Sequence, residues 1–197
     1  MRVADRTISI SDFRRLGALE IYEPAALAAF AVSKEPKKGE RKEVISDDLS
    51  FRIEDLFASR TKFLRLLWLA RRPGVLPMAL MHRFGLAIAQ RTVGKLLEEG
   101  ALNDIRVTAA LAAQAAFLDG QQHAASVHAL RAAVHQAIQD HSLYGSNRAA
   151  DGCAIVHAAL DPDGHEAGAE AAYFYLQLFP KDENWLRAEL LALVRNC

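Results

Sequence analysis

Apolar residues recur at steps of three and four positions along most of this chain, the spacing that places them on one face of an α-helix. This pattern predicts helices at 25–32, 49–70, 78–99, 103–119, 122–143, 147–160, 165–179 and 183–194. Polar and apolar residues alternate at 7–10, which predicts one short strand, suited to the edge of a sheet. The fold class we expect is therefore all-α, an irregular antiparallel helical bundle.

The spacing of the helix starts raises an alternative architecture. Starts near positions 77, 122 and 165 are separated by about 43 residues, a length typical of two-helix repeats. Repeats of that kind would stack α-hairpins into a solenoid. Because no residue pattern recurs at this period beyond an abundance of alanine, the bundle is favoured.

The stretch 103–140 contains two alanine-rich helices joined at Gly120, a residue suited to the left-handed conformation that closes a helix. Small side chains allow neighbouring helices to approach closely. We therefore expect this stretch to form the packing centre of the fold.

The predicted helix at 78–99 contains Gly85 and Gly94, and each glycine costs about 1 kcal/mol relative to alanine inside a helix. A helix tolerates that cost where another backbone comes close, so we expect a tight helix crossing at these positions. Glu98 and Glu99 lie unfavourably against the C-terminal end of the helix dipole. They predict either a frayed end or a basic partner.

The chain is predicted to form a single all-helical domain, 1–197, since its length suits one hydrophobic core. The segment 33–45 differs from the rest, because it contains Pro36 and Gly39 and almost no apolar residue. Its five positive charges are balanced in part by three negative ones. This composition predicts a charged linker or mobile loop rather than a basic docking arm.

The charge balance narrows the class of partner. Lys and Arg together number 24, as do Asp and Glu, so the formal net charge is zero. This disfavours nucleic acid and anionic membranes as partners and allows a homo-oligomer. The chain lacks both a signal-peptide core and the roughly 18 apolar residues in a row that span a bilayer. With two cysteines and no disulfide framework, the expected location is the cytoplasm.

Only one pair among the histidines and cysteines of the sequence has the spacing that places two ligands of one metal ion on one helical face. No two histidines are three or four residues apart, and His128 and His135 are separated by about 10.5 Å along a helix. Cys153 and His157 do have the four-residue spacing of two ligands on one helical face. With a third ligand from His128 or His135 across a hairpin, they would bind zinc. The candidate metal ligands are therefore Cys153, His157, His128 and His135.

The same spacing allows Cys153 to act as a nucleophile with His157 as its base. A cysteine in an alanine-rich helix, however, is more often a small buried apolar residue. The sequence contains no P-loop, no dinucleotide-binding glycine pattern and no G-x-S-x-G motif. We therefore expect no cofactor and no catalytic residue.

Two further polar motifs are better explained by structure than by binding. Asp161-Pro-Asp163-Gly has only half of a calcium-loop pattern and predicts a capped turn between helices. Four arginines surround Trp68, an arrangement that would hold an anion but more often lies at a helix end: Arg60, Arg65, Arg71 and Arg72.

Three successive segments carry a resemblance to known proteins: FGLAIAQRTVGKLLEEG, IRVTAALAAQAAFLDGQ and HAASVHALRAAVHQAI. With their order and short glycine turn, residues 84–173 resemble the alanine-rich, all-helical immunity and repeat-companion families of bacteria. The resemblance implies a non-catalytic bacterial protein that binds a toxin partner. It identifies no binding residue in this sequence.

These observations lead to one functional expectation and two alternatives. We expect a non-catalytic cytoplasmic bacterial protein-interaction module, of immunity-like or accessory type, with an unknown protein partner. The first alternative is a metal-binding or cysteine-dependent enzyme that uses Cys153 and His157 with neighbouring histidines. The second is a helical scaffold for nucleic-acid phosphate, which the zero net charge disfavours.

Overall fold

The computed structural model describes residues 2–17, 50–59 and 61–197. The predicted helix at 25–32, the predicted charged segment at 33–45 and Arg60 lie outside the described residues. Within the described ranges, helices predominate and pack as a bundle beside one two-stranded sheet, which confirms the predicted fold class.

The described elements are short at the N-terminus and long thereafter. The N-terminal elements are a 3-10 helix (Val3–Asp5), β1 (Thr7–Ser9), α1 (Ile10–Arg15), β2 (Ser50–Arg52) and α2 (Ile53–Ala58). The remaining helices are α3 (Phe63–Ala70), α4 (Met78–Glu98), α5 (Ile105–Leu118), α6 (Ala124–Tyr144), α7 (Asn147–Ala159), α8 (Gly164–Leu178) and α9 (Glu183–Asn196). None of these described helices is both long enough and apolar enough to cross a membrane.

The small sheet is formed by β1 and β2, which pair antiparallel with Ile8 opposite Phe51. The predicted strand is thereby confirmed at Thr7–Ser9. The prediction of one helical face over 49–70 is wrong at its start, where β2 lies, and again between α2 and α3, where the helix is interrupted. Ile8 and Phe51 are both buried, so the pairing is held by apolar contact at the base of the bundle's core.

Three helices, α4, α7 and α8, form the interior of the bundle. α4 and α8 run parallel, since Met78 lies against Gly164 near one end and Lys95 lies over Phe179 near the other. α7 runs antiparallel to α4, with Leu96 next to Gly152. The extensive contact between α4 and α8, which are separated by three helices in sequence, closes the structure into a bundle. An open stack of α-hairpins would hold those two helices apart.

Burial is concentrated in α7 and not in the stretch 103–140. Eight of the 13 residues of α7 are buried, whereas only three of the 21 residues of α6 are. The expectation that 103–140 forms the packing centre is therefore wrong for α6, which is an outer helix. Alanine richness is common to both helices and does not reveal which of them is surrounded by others.

The close crossing predicted at the glycines of α4 is found at one of them. A Cβ on Gly85 would lie 3.0 Å from the carbonyl oxygen of Ala167 in α8. α8 contributes Gly168, whose Cβ would lie 2.6 Å from the carbonyl oxygen of Met81. The prediction is wrong for Gly94, around which no atom in the described part of the chain lies within 4 Å of a built Cβ.

Candidate functional site

Cys153, the first candidate ligand and nucleophile, lies in the middle of α7 and is fully buried. Burial, with a smaller contribution from Asp104, raises the pKa of the Cys153 thiol to about 12. Both metal binding and nucleophilic attack require a thiolate. In this environment the thiol remains protonated and behaves as a small apolar side chain.

His157 and His135, by contrast, are brought together by the antiparallel packing of α6 and α7. Their ring centroids are 5.5 Å apart and their planes are inclined by 51°. His135 is exposed and its Nε2 lies 3.2 Å from Nε2 of Gln139. Burial, followed by the charge of Arg131 and by His135, lowers the pKa of His157. The two imidazole rings therefore lie next to each other across this pair of helices.

His128 lies elsewhere, at a cleft near the start of α6. The cleft has a volume of about 70 Å³, and its polar lining includes His82, Gln114 and Asp161. The side-chain oxygen of Gln114 is buried and has no hydrogen-bond partner among the described residues. This volume is far below the roughly 300–1,000 Å³ of small-molecule sites, so the cleft suits a few water molecules rather than a substrate.

The four candidate ligands thus divide into three environments. Cys153 lies in the core, His128 at the cleft, and His135 and His157 pair on the outer side of α7. Across the described ranges, no three His, Cys, Asp or Glu side chains lie close enough together to hold one metal ion. The structure supplies a two-histidine pair rather than the three-ligand set that the sequence predicted.

The turn that contains Asp161 is a structural junction. The Asp161 carboxylate accepts hydrogen bonds from Arg131 at 2.7 Å and from the Asp163 backbone N–H at 2.9 Å. Nε2 of His82 lies 3.0 Å from the Asp161 carbonyl oxygen. Arg131 therefore joins α6 to this turn, and His82 joins α4 to it. The interpretation of the motif as a capped turn is confirmed, since Asp163 caps α8 through the His165 N–H.

Two of the arginines near Trp68 are engaged within the fold. Nε of Arg71 donates a hydrogen bond to Glu166 at 2.7 Å, and the guanidinium of Arg72 lies 4.0 Å above the Trp68 ring. These contacts are those of side chains packed at a helix end, and the ion pair with Glu166 occupies one of the guanidinium groups that an anion would need.

A second polar cluster, which sequence reasoning missed, lies where α4, α8 and α9 meet. The Asp182 carboxylate accepts hydrogen bonds from the Tyr175 hydroxyl at 2.6 Å and from Lys95 at 2.5 Å. Nε of Arg91 donates to the Tyr175 oxygen at 2.9 Å. Burial, followed by the bond to Asp182, raises the pKa of the fully buried Tyr175. One sequence signal could have indicated this cluster, namely the seven-residue spacing of Tyr175 and Asp182. Their partners Arg91 and Lys95 are four residues apart on α4.

This Asp182 cluster is enclosed by aromatic rings. Tyr175 lies 4.9 Å from Phe179 and 5.5 Å from Trp185, measured between ring centroids. The Arg91 guanidinium lies 4.4 Å from the Trp185 ring, and Lys95 Nζ lies 4.4 Å from the Phe179 ring. Every polar group named in this cluster has a partner, so it joins three helices and leaves no group directed at a ligand.

Exposed apolar side chains gather at one end of the bundle, where α4 and α6 end and α5 and α7 begin. We call this surface the Tyr144 end. It carries four exposed apolar side chains: Leu97 (44% exposed), Ile105 (81%), Leu143 (72%) and Tyr144 (87%). Its helices are tied together by Arg106, which bonds Asp104 and Asp140 at 2.6 Å each, and by the bidentate pair of Arg148 with Glu99. The predicted basic partner of the C-terminal end of α4 is therefore confirmed.

The Tyr144 end is also acidic. The two chain segments that form it, 97–106 and 140–151, carry five carboxylates and two guanidinium groups: Glu98, Glu99, Asp104, Asp140, Asp151, Arg106 and Arg148. These segments thus have three negative charges in excess, and Lys95 of α4 places one positive charge near Glu99. Exposed apolar side chains beside an excess of one charge are typical of a surface that recognises a complementary protein.

Comparison of the chain with known protein families, with curated proteins and with solved structures finds no significant match.

Proposed function

We propose that the chain is a non-catalytic protein-interaction module of a bacterial cytoplasm, immunity-like or accessory in type, and that its partner binds at the Tyr144 end. The observation that carries the proposal is the exposure of Ile105, Leu143 and Tyr144 together at one end of a bundle whose other apolar residues are mostly buried. Large apolar side chains cost free energy when left in water, and aromatic ones are enriched at the centres of interfaces.

The charges around these side chains specify the partner's chemistry. An acidic surface attracts a basic one and disfavours an acidic one. The partner is therefore a protein that presents an apolar patch surrounded by Lys and Arg. Within the Tyr144 end, the pairs Arg106–Asp140 and Arg148–Glu99 hold the four helix termini in place. Such preorganisation lowers the entropic cost of binding.

The environment of the Cys153 sulfur does not support the alternative of a cysteine-dependent enzyme. A nucleophilic cysteine needs an accessible thiolate, whereas Cys153 is fully buried with a raised thiol pKa. An interaction module requires no such group.

A site-specific cross-linking experiment tests the proposal. A photo-crosslinking amino acid replaces Tyr144 in one protein and Tyr173, an exposed tyrosine of α8, in the matched control. We expect a distinct protein to be cross-linked from position 144 in native cells and not from position 173. The product should be lost when Leu143→Ser is added and should weaken at high salt, since salt screens exposed charges.

Two results would overturn the proposal. Identical products from both positions would show that the Tyr144 end has no preferred partner. A second copy of this chain as the only product from position 144 would replace the distinct partner with self-association.

A further inference from the structure

Two imidazoles from different helices meet on the outer side of α7. His135 is on the exposed face of α6, and His157 is half-buried on α7, so solvent reaches the pair from one side. The ring centroids are 5.5 Å apart. Within the described residues neither ring takes part in an ion pair, and the side chain of His135 has its polar contact with the amide of Gln139 at 3.2 Å.

This separation suits two ligands of one metal ion. A metal–nitrogen distance of about 2.1 Å places the ion about 3.2 Å from each ring centroid. At ligand–metal–ligand angles of about 90–120°, the two centroids are then about 4.5–5.5 Å apart. The observed distance lies at the upper end of this range, so a small side-chain adjustment at the exposed His135 is sufficient.

We propose that His135 and His157 together bind one divalent first-row transition-metal ion, with water molecules completing its coordination. The ion would link outer helix α6 to core helix α7. Cys153 and His128 are not ligands of this site, because the first is in the core and the second is at the cleft. The site goes beyond the proposed interaction function and lies away from the Tyr144 end.

The neighbouring charges are compatible with a cation. The positive charge of Arg131 acts on His157, but its guanidinium is bound to the Asp161 carboxylate at 2.7 Å, which partly offsets that charge. Imidazole nitrogen is a ligand for Cu²⁺, Ni²⁺ and Zn²⁺, whereas Mg²⁺ and Ca²⁺ prefer oxygen. We therefore expect the affinity for Cu²⁺ to exceed that for Zn²⁺, and Mg²⁺ to bind negligibly.

Metal titration of the untagged protein tests the site. Every protein carries Cys197→Ser, because the exposed terminal thiol is itself a soft ligand. Calorimetric titration with ZnCl₂ or NiCl₂ should give one ion per chain, and His135→Ala should weaken binding at least about tenfold. His128→Ala, an exposed histidine on the same helix, is the matched control and should bind as the parent does. Cys153→Ala should also leave binding unchanged.

Thermal unfolding supplies a second measurement. Because the ion binds only the folded arrangement of α6 and α7, saturating ZnCl₂ should raise the Tm of the parent and of His128→Ala, but not that of His135→Ala. Equal metal affinity in the parent and in His135→Ala would overturn the proposal. Loss of binding in Cys153→Ala, with its fold intact by circular dichroism, would overturn it in favour of a thiolate site.

Discussion

Helices α6 and α7 are neighbours in sequence and in space, and both are rich in alanine, yet they are held in place differently. α7 is surrounded by α4, α6 and α8 and is fixed by close apolar packing. α6 buries few residues and is held in place in part by ion pairs. Arg106 of α5 binds Asp140 of α6, and Arg131 of α6 binds Asp161 in the turn after α7.

The difference shows where function can reside on this fold. Most residues of α7 are buried against its neighbouring helices, so its fully buried cysteine is a packing residue. α6 has free surface along most of its length, and it carries His135 in its middle and Leu143 and Tyr144 at its end. Both proposed binding surfaces therefore include α6, which has the smallest buried fraction among the described helices.

The largest expected effect on stability is the contrast between an apolar side chain of α7 and one of α6. Ile155→Ala in α7 removes a side chain with no exposed surface and should lower the free energy of unfolding by about 2–5 kcal/mol, the cost of a cavity in a packed core. Leu143→Ala in α6 should change it by less than about 0.5 kcal/mol, because that side chain is mostly in water already. Urea unfolding of both variants measures the contrast, and equal losses would show that α6 is not an outer helix.

A smaller effect is expected at the glycine crossing of α4 and α8. Gly168→Ala places a Cβ against the Met81 carbonyl and should cost about 1–3 kcal/mol, since backbone must move to make room. Gly94→Ala is the matched control in α4 and should stabilise the protein by up to about 1 kcal/mol. Thermal and urea unfolding report both changes. A neutral Gly168→Ala would contradict the close approach of the two helices.

The smallest expected effect on stability concerns the ion pairs that hold the outer helices, and it depends on pH. The hydrogen bond from Arg106 lowers the pKa of Asp104 to about 2 from its ordinary 3.8. A lowered folded-state pKa contributes stability above the ordinary pKa, which is lost as the pH falls from about 4 to about 2. Asp104→Asn retains a helix-capping side chain but removes the charge, and should cost at most about 2 kcal/mol at pH 5.

Urea unfolding of the parent and of Asp104→Asn at pH 5 and pH 2.5 measures this contribution. The difference between the two proteins should shrink at the lower pH. A difference that stays constant would mean that Asp104 acts through its cap alone. Asn103→Ala, which alters a neighbouring polar residue without removing a charge, serves as the control.

Local rules predicted the helices well because their signals are local. Asp104 and Ser146 cap α5 and α7 through their side chains, and Gly120 adopts a positive φ of 74° after α5, as its left-handed position predicted. Asp182 occupies the capping position of α9, but its carboxylate binds Lys95 and Tyr175 instead of the backbone. A residue's place in a helix was thus predictable, whereas its partner from another helix was not.

The candidate site was predicted less well for the same reason. Cys153 and His157 do lie four residues apart on one helix, but this spacing does not show whether their side chains are in the core or in solvent. His135 was one of two candidate ligands from across a hairpin, and its contact with His157 depends on the antiparallel register of α6 and α7. The Asp182 cluster combines residues from three helices and has no counterpart in the local pattern.

By itself, the sequence determined which segments from residue 78 onward are helical and where most of them begin and end, because periodicity, caps and glycine turns act over a few residues. It also determined that no familiar catalytic motif is present. Only the tertiary structure decided that α7 and not α6 lies at the centre, that Gly85 and not Gly94 marks the crossing, and that His135 pairs with His157 while Cys153 is enclosed. Each of these depends on which helices become neighbours, and that is settled by packing over the whole chain.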